Sequence, residues 1–219
     1  MGSPTVKIIV GMEKKEFSVH LDVICRKFPK FHDIVKDTSR TANNEVVKLP
    51  RVGAKVFELF MTWLYQDIIE RPAGSSNDAA VVVTELIAFA EYYDIFQLAD
   101  SGMDFLLKFM KENELLKAKK IQMLYHWTKP GSRLRKLISL SLAYKTLTDD
   151  GSSDWKDYML SYALRSHIDV LPEYIRALRM QSGVVQVDPF NLPACTFHRH
   201  GKDEPCPLAS KKRKREEND

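Results

Sequence analysis

Apolar and polar positions change rhythm several times along the first half of the chain. Short β-rich runs in "TVKIIVG" and "EFSV", on either side of the turn-like "GMEKK", predict a hairpin of two strands. From Leu21 the apolar residues fall at Leu21, Ile24, Cys25, Phe28, Phe31 and Val35, which is helical spacing. Pro29 interrupts that stripe. A proline costs a helix interior about 3 kcal/mol but is tolerated in a first turn, so the stripe is predicted as two pieces, residues 21–28 and 29–36. "DTSRTANN" is predicted as a polar loop, and "EVVKLP" as a third short strand stopped by Pro50. "AKVFELFMTWLY" places Val56, Leu59, Phe60, Trp63 and Leu64 on one helical face. After the turn-rich "ERPAGSSNDA", "VVVTELIAFAEYYDI" aligns Val83, Leu86, Ile87, Ala90 and Tyr93, and "FQLADSGMDFLLKFMKEN" aligns Met103, Leu106, Leu107 and Met110.

The period weakens after about residue 113. "ELLKAKKIQMLYHW", "RLRKLISLSLAY" and "DWKDYMLSYALRSH" are predicted helices, and "LPEYIRALRM" is a fourth, with Pro172 and Glu173 in its first turn. Beyond Gly183 the pattern stops. "VDPFNLPACTFHRHGKDEPCPLAS" holds four prolines and no period, and the end is a charge run. No internal repeat is present. The expected organisation is an α+β module over 5–112, an all-α extension over 113–187 and an irregular tail over 188–219.

Composition changes this picture little. A hydrophobic share of 44% and a charged share of 28% are ordinary for a globular chain able to bury a core. The net charge of +4 sits partly in the last nine residues, which carry five basic and three acidic side chains; without them 28 basic residues face 26 acidic ones. A broad nucleic-acid-binding face is therefore not expected. Three cysteines are too few for a disulfide framework, which suits a reducing compartment. No apolar run approaches the roughly 18 residues a membrane span needs, and no secretory or myristoylation signal opens the chain. A nuclear location, with a cytoplasmic share, is expected.

Three segments in order then carry a resemblance: "VKIIVGMEKKEFSVHLDVICRKFPKF", "VVKLPRVGAKVFELFMTWLYQDII" and "LIAFAEYYDIFQLADSGMDFLL". Val19-His20 with Phe31, Leu49-Pro50 with Phe57 and Trp63-Leu64-Tyr65, and Ala88, Ala90, Tyr93-Asp94-Ile95, Leu98 and Met103 stand where similar residues stand in BTB/POZ domains. The match covers residues 5 to about 112. The tail, with "FHRHGKDEPCP" and its basic end, resembles the fungal branch of that family. The resemblance implies a BTB/POZ fold, a small sheet with helical hairpins, followed by the helical extension. It implies a non-enzymatic protein-interaction module: a nuclear scaffold or transcription-related regulator, with a substrate adaptor of a cullin-type ubiquitin ligase as the alternative. Implied partners are proteins, a second copy of the chain and a cullin scaffold among them, with no membrane and no small-molecule substrate. Leu21 follows the histidine where relatives carry a basic residue, and Pro4-Thr5-Val6 lacks the acidic residue they place before the first strand. Neither a charged dimer groove nor a strand-swapped dimer is expected here. A helix-face contact through Leu21, Ile24, Cys25 and Phe28 is the candidate partner surface.

Candidate chemistry is sparse. His20 could be a base or a pH switch, but no nucleophile-like partner is evident, so it is expected to hydrogen-bond backbone at the strand-to-helix joint. Cys195, His198, His200 and Cys206 form a Cys-x2-His-x-His-x5-Cys set; thiolates and imidazoles in fours are zinc ligands, and a full set would make the site structural. A coil that happens to hold these residues is the other reading. Lys211, Lys212, Arg213, Lys214 and Arg215 resemble a nuclear import signal, against a merely solvated terminus; such a tail could also touch phosphate weakly, which makes a nucleic-acid-associated protein acting through its basic tail the second alternative function. Trp63, Tyr65, Tyr92, Tyr93 and Phe96 are expected as core and groove wall, not as a base-stacking platform. No phosphate-binding glycine loop or paired-carboxylate motif occurs.

Overall fold

Val6, Ile8 and Val10 point inward from one strand and Lys7 points out, the alternation of a half-buried strand. This strand, β1 (Thr5–Val10), is central in a three-stranded sheet of the computed structural model, which describes residues 4–41, 46–112, 118–148, 156–199 and 206. β2 (Lys15–His20) pairs with it antiparallel, from Thr5↔His20 to Val10↔Lys15. β3 (Val46–Leu49) pairs parallel on the other edge, from Lys7↔Val46 to Val10↔Leu49. The hairpin turn needs a left-handed residue, and Gly11 supplies it at φ +75° without a Cβ penalty. The Gly11 N–H donates to the Leu49 carbonyl at 3.1 Å, which ties the turn to β3.

A parallel pair needs a crossover, and it contains α1 (Leu21–Lys27) and α2 (Phe31–Thr41). The break at Pro29 falls as expected. α2 runs on through residues 37–41, which were predicted as loop; Phe31, Ile34 and Val35 anchor its first turns on the core, and the backbone continues helically beyond them. α3 (Ala54–Gln66) buries Val56, Phe57, Leu59, Phe60, Trp63 and Leu64. α4 (Ser76–Tyr92) begins five residues before the predicted start. Ser75 caps it: its hydroxyl oxygen accepts the Asp78 N–H at 3.2 Å and lies 2.6 Å from the Asp78 carboxylate. Such a cap stabilises a helix by about 1 kcal/mol. α5 (Phe96–Glu112) lies against α4 and packs tightly at Gly102, where an added Cβ would come within 2.7 Å of Ile87 Cγ1. Phe28 gathers Phe31, Phe60, Phe89 and Tyr93 around it in tilted and edge-on contacts, with centroids 5.1–6.4 Å apart.

Four helices follow: α6 (Ala118–Trp127), α7 (Arg133–Thr148), α8 (Asp157–Arg165) and α9 (Val170–Gln181). The middle of α7 is buried on nearly every side: Leu134, Arg135, Leu137, Ile138, Ser139, Leu140, Ser141, Leu142 and Ala143 are all buried, while its last turn is exposed. It is the spine of the second half. The core runs without interruption from Val6 of β1 to Phe197 near the end, so the extension packs on the first module. Glu91 of α4 fixes the junction by accepting the Arg133 N–H, at the start of α7, at 3.0 Å. The stretch predicted as irregular also differs. Short 3₁₀ turns at Pro189–Asn191 and Ala194–Phe197 lie on α5 and α7, and Phe197 is fully buried. Among the described residues no helix is long and apolar enough to cross a membrane.

Candidate functional site

The α1 surface begins at His20, the last residue of β2 and the cap of α1. The Tyr65 hydroxyl accepts the His20 backbone N–H at 3.1 Å and lies 2.9 Å from ring Nδ1. One hydroxyl thus accepts from the main chain and can donate to the ring, which fixes how the chain turns from strand to helix. The ring's partner is this side chain rather than the backbone group expected. Cys25 is a poor nucleophile here: burial and then the nearby Asp22 carboxylate push its thiol up, which keeps it protonated.

Of the four residues expected to face a partner, Ile24 and Phe28 turn into the core and are 0% and 1% exposed. They are part of the module's interior and are unavailable to a docking protein. Leu21 and Cys25, one turn apart, are half-buried, packed at the edge of the core with part of their surface left to solvent. The helix stripe was read as one face, but α1 sits against β2 and α3, and those contacts divide it. The aromatic group divides too. Trp63 is buried and Tyr93 half-buried, while Tyr65, Tyr92 and Phe96 are exposed. Lys129 lies over the Tyr92 ring and Arg199 over Phe96, at 4.8 and 4.5 Å from the centroids.

A second cluster forms where the C-terminal segment crosses α5. Cys195, His198 and Cys206 bring their ligand atoms within 4.8 Å of one another, and His198 Nδ1 is 3.3 Å from Cys206 Sγ. His200, the fourth residue expected there, lies outside the described residues, as do Lys211, Lys212, Arg213, Lys214 and Arg215. The His198 ring is 3% exposed and turns Nε2 to Asp104 Oδ1 at 2.9 Å. Burial pulls the imidazole pKa down, but hydrogen bonds to Asp104 and Cys206 and the charges of Asp104 and Asp100 push it up to about 9. The same segment is fixed on both sides of His198. Phe197 is buried, Lys136 donates to the Thr196 carbonyl at 3.0 Å, and the Arg199 N–H donates to Asp100 Oδ1 at 3.0 Å. Sequence reading missed Asp100 and Asp104. The available signal was their four-residue spacing, which puts two carboxylates on one side of a largely apolar helix.

Comparison with known proteins bears on the first half of the chain. Neither the curated proteins nor the solved structures gave a match. A family model described as the BTB/POZ domain matches residues 4–110, the segment that holds the three strands and the helices α1 to α5 but for the last two residues of α5. That span, and the small mixed sheet with helices packed around it, agree with the three sequence segments that suggested the family. Through residues 4–110 the chain belongs to the BTB/POZ domain family.

Proposed function

We propose that this chain is a nuclear scaffold or transcription-related regulator that works by docking other proteins on its BTB/POZ module. The single observation that carries the reading is the family match over residues 4–110, since this domain is a protein-interaction module that also mediates self-association. Leu21 and Cys25, half-buried one turn apart on α1, are the first surface through which docking would act. A few residues desolvated at the centre of an interface supply most of its affinity, and these two side chains would be covered by a partner docked on α1. Nuclear placement rests on the cluster Lys211, Lys212, Arg213, Lys214 and Arg215.

Two measurements test this. Sedimentation velocity of the full chain should show concentration-dependent self-association that a Leu21→Glu, Cys25→Glu double variant weakens with its helical signal intact. A fluorescent fusion should lose nuclear accumulation when residues 211–219 are removed. Even distribution of both fusions would overturn the nuclear part, and co-purification of a cullin scaffold would replace the regulator with a ligase adaptor.

A further inference from the structure

We propose that Cys195, His198 and Cys206 hold a structural zinc ion that clasps the C-terminal segment to α5 of the BTB/POZ domain. The donor set is two sulfurs and one imidazole, the soft and borderline ligands that select zinc over the hard cations. The spacing fits. A tetrahedral ion with Zn–S about 2.3 Å and Zn–N about 2.0 Å sets a sulfur and a nitrogen about 3.5 Å apart, and His198 Nδ1 stands 3.3 Å from Cys206 Sγ. The three ligand atoms, all within 4.8 Å of one another, converge with only a small contraction.

The second observation is independent of the ligands themselves. His198 presents Nδ1 to the cluster and Nε2 to Asp104 Oδ1, 2.9 Å away on α5. A histidine that binds a metal through one ring nitrogen gives its other N–H to a carboxylate, which fixes the tautomer and the ring plane. Asp104 is in that position, and it comes from another element 94 residues earlier in the chain. Coordination through Nδ1 with the proton kept on Nε2 leaves the Asp104 hydrogen bond intact. Cys195 and Cys206 would bind as thiolates and release their protons to solvent. The fourth position falls to water or to a group outside the described residues.

A clasp here would have a mechanical consequence. The segment is already pinned by Phe197 in the core and by the Arg199 N–H on Asp100. An ion joining Cys195 to Cys206 would close residues 195–206 into a loop anchored on α5, so the helix pair α4–α5 and the tail would move as one body.

Full-length protein, stripped with a chelator and kept in a reductant that does not bind zinc, is titrated with zinc against a competing chromophoric chelator. One equivalent per chain is expected, with thiolate-to-metal absorption when cobalt is used instead. A Cys195→Ser, Cys206→Ser double variant should lose the tight site while keeping its helical circular dichroism. Asp104→Asn, a positioning variant, should keep the stoichiometry and weaken binding about 10- to 100-fold. Hydrogen exchange at residues 196–199 should slow on zinc addition in the wild type and not in the cysteine double variant. Absence of a stoichiometric site, or one undiminished in the cysteine double variant, would overturn the proposal, as would Asp104→Asn binding with wild-type affinity.

Discussion

Arg135 Nη1 donates to Asp169 Oδ2 at 2.8 Å, joining the buried helix α7 to the start of α9. The rest of the guanidinium is used as well. Nε donates to the Thr128 hydroxyl at 2.9 Å, Nη2 donates to the Tyr125 and Thr128 carbonyls at the end of α6, and Glu173 lies 3.6 Å from Nη1. Arg135 is 3% exposed, so removing it strands two carboxylates and two carbonyls at once. Arg135→Met is expected to cost about 3 kcal/mol, at the low end for breaking a buried pair because Asp169 keeps partial access to water. Asp169→Asn leaves Glu173 as counter-ion and is expected to cost about 1 kcal/mol or less. Urea unfolding midpoints of the two variants check the ranking; equal losses would contradict it.

Gly102 of α5 packs tightly on Ile87 of α4. Alanine would gain about 1 kcal/mol of helix propensity, but its Cβ would fall 2.7 Å from Ile87 Cγ1, in a side chain that is 0% exposed. Overpacking of that kind costs about 1–3 kcal/mol. Gly102→Ala is therefore expected to lower the thermal midpoint, and the pair Gly102→Ala, Ile87→Ala, which removes the clashing Cγ1, to lose less than the two single variants added together. A single variant at least as stable as the wild type would show that the helices can part there without penalty.

α7 was legible as a helix over residues 133–144, but its burial was not: residues 134–143 are covered on nearly every side, so amphipathic spacing offers no face by which to place it. The partners of Arg135 at Asp169 and Glu173, like the Asp104 partner of His198, lie tens of residues away in sequence and become neighbours only through packing. What could be read was local. Alternation gave β1, the 3.6-residue period gave α3 and α5, and Pro29 divided α1 from α2. Ser75 was equally local and was passed over, because the serines and asparagine of "SSND" read as a turn when they also begin α4. On α1 the period correctly gave a stripe but could not say which of its residues face inward. Ile24 and Phe28 do, and Leu21 and Cys25 only in part.

Glu91 should give stability an identifiable pH dependence. Burial raises its carboxyl pKa, and the hydrogen bonds from Ser132 and Arg133 with the cationic Arg199 and Arg133 side chains only partly offset this. A folded-state pKa above the unfolded one means the contribution is fully present below the unfolded value and declines as pH rises through the folded value. Glu91→Gln keeps an oxygen to accept the Arg133 N–H and removes the titration. Its stability relative to wild type should therefore improve as pH rises from near the unfolded glutamate value of about 4.3 through the higher folded one. Denaturant unfolding at several pH values checks the sign. A variant that loses ground as pH rises would mean that the ionised carboxylate stabilises the junction.

Docking by the BTB/POZ module is most directly tested by affinity capture with the full chain. Three forms are compared: wild type, the Leu21→Glu, Cys25→Glu double variant, and a form lacking residues 211–219. The expected result is a defined set of protein partners, captured from nuclear extract by the wild type and by the tail-deleted form and lost from the α1 variant, whose unfolding midpoint stays close to wild type. Partners retained by the α1 variant but lost with the tail would contradict it, placing binding in the basic terminus instead of the module.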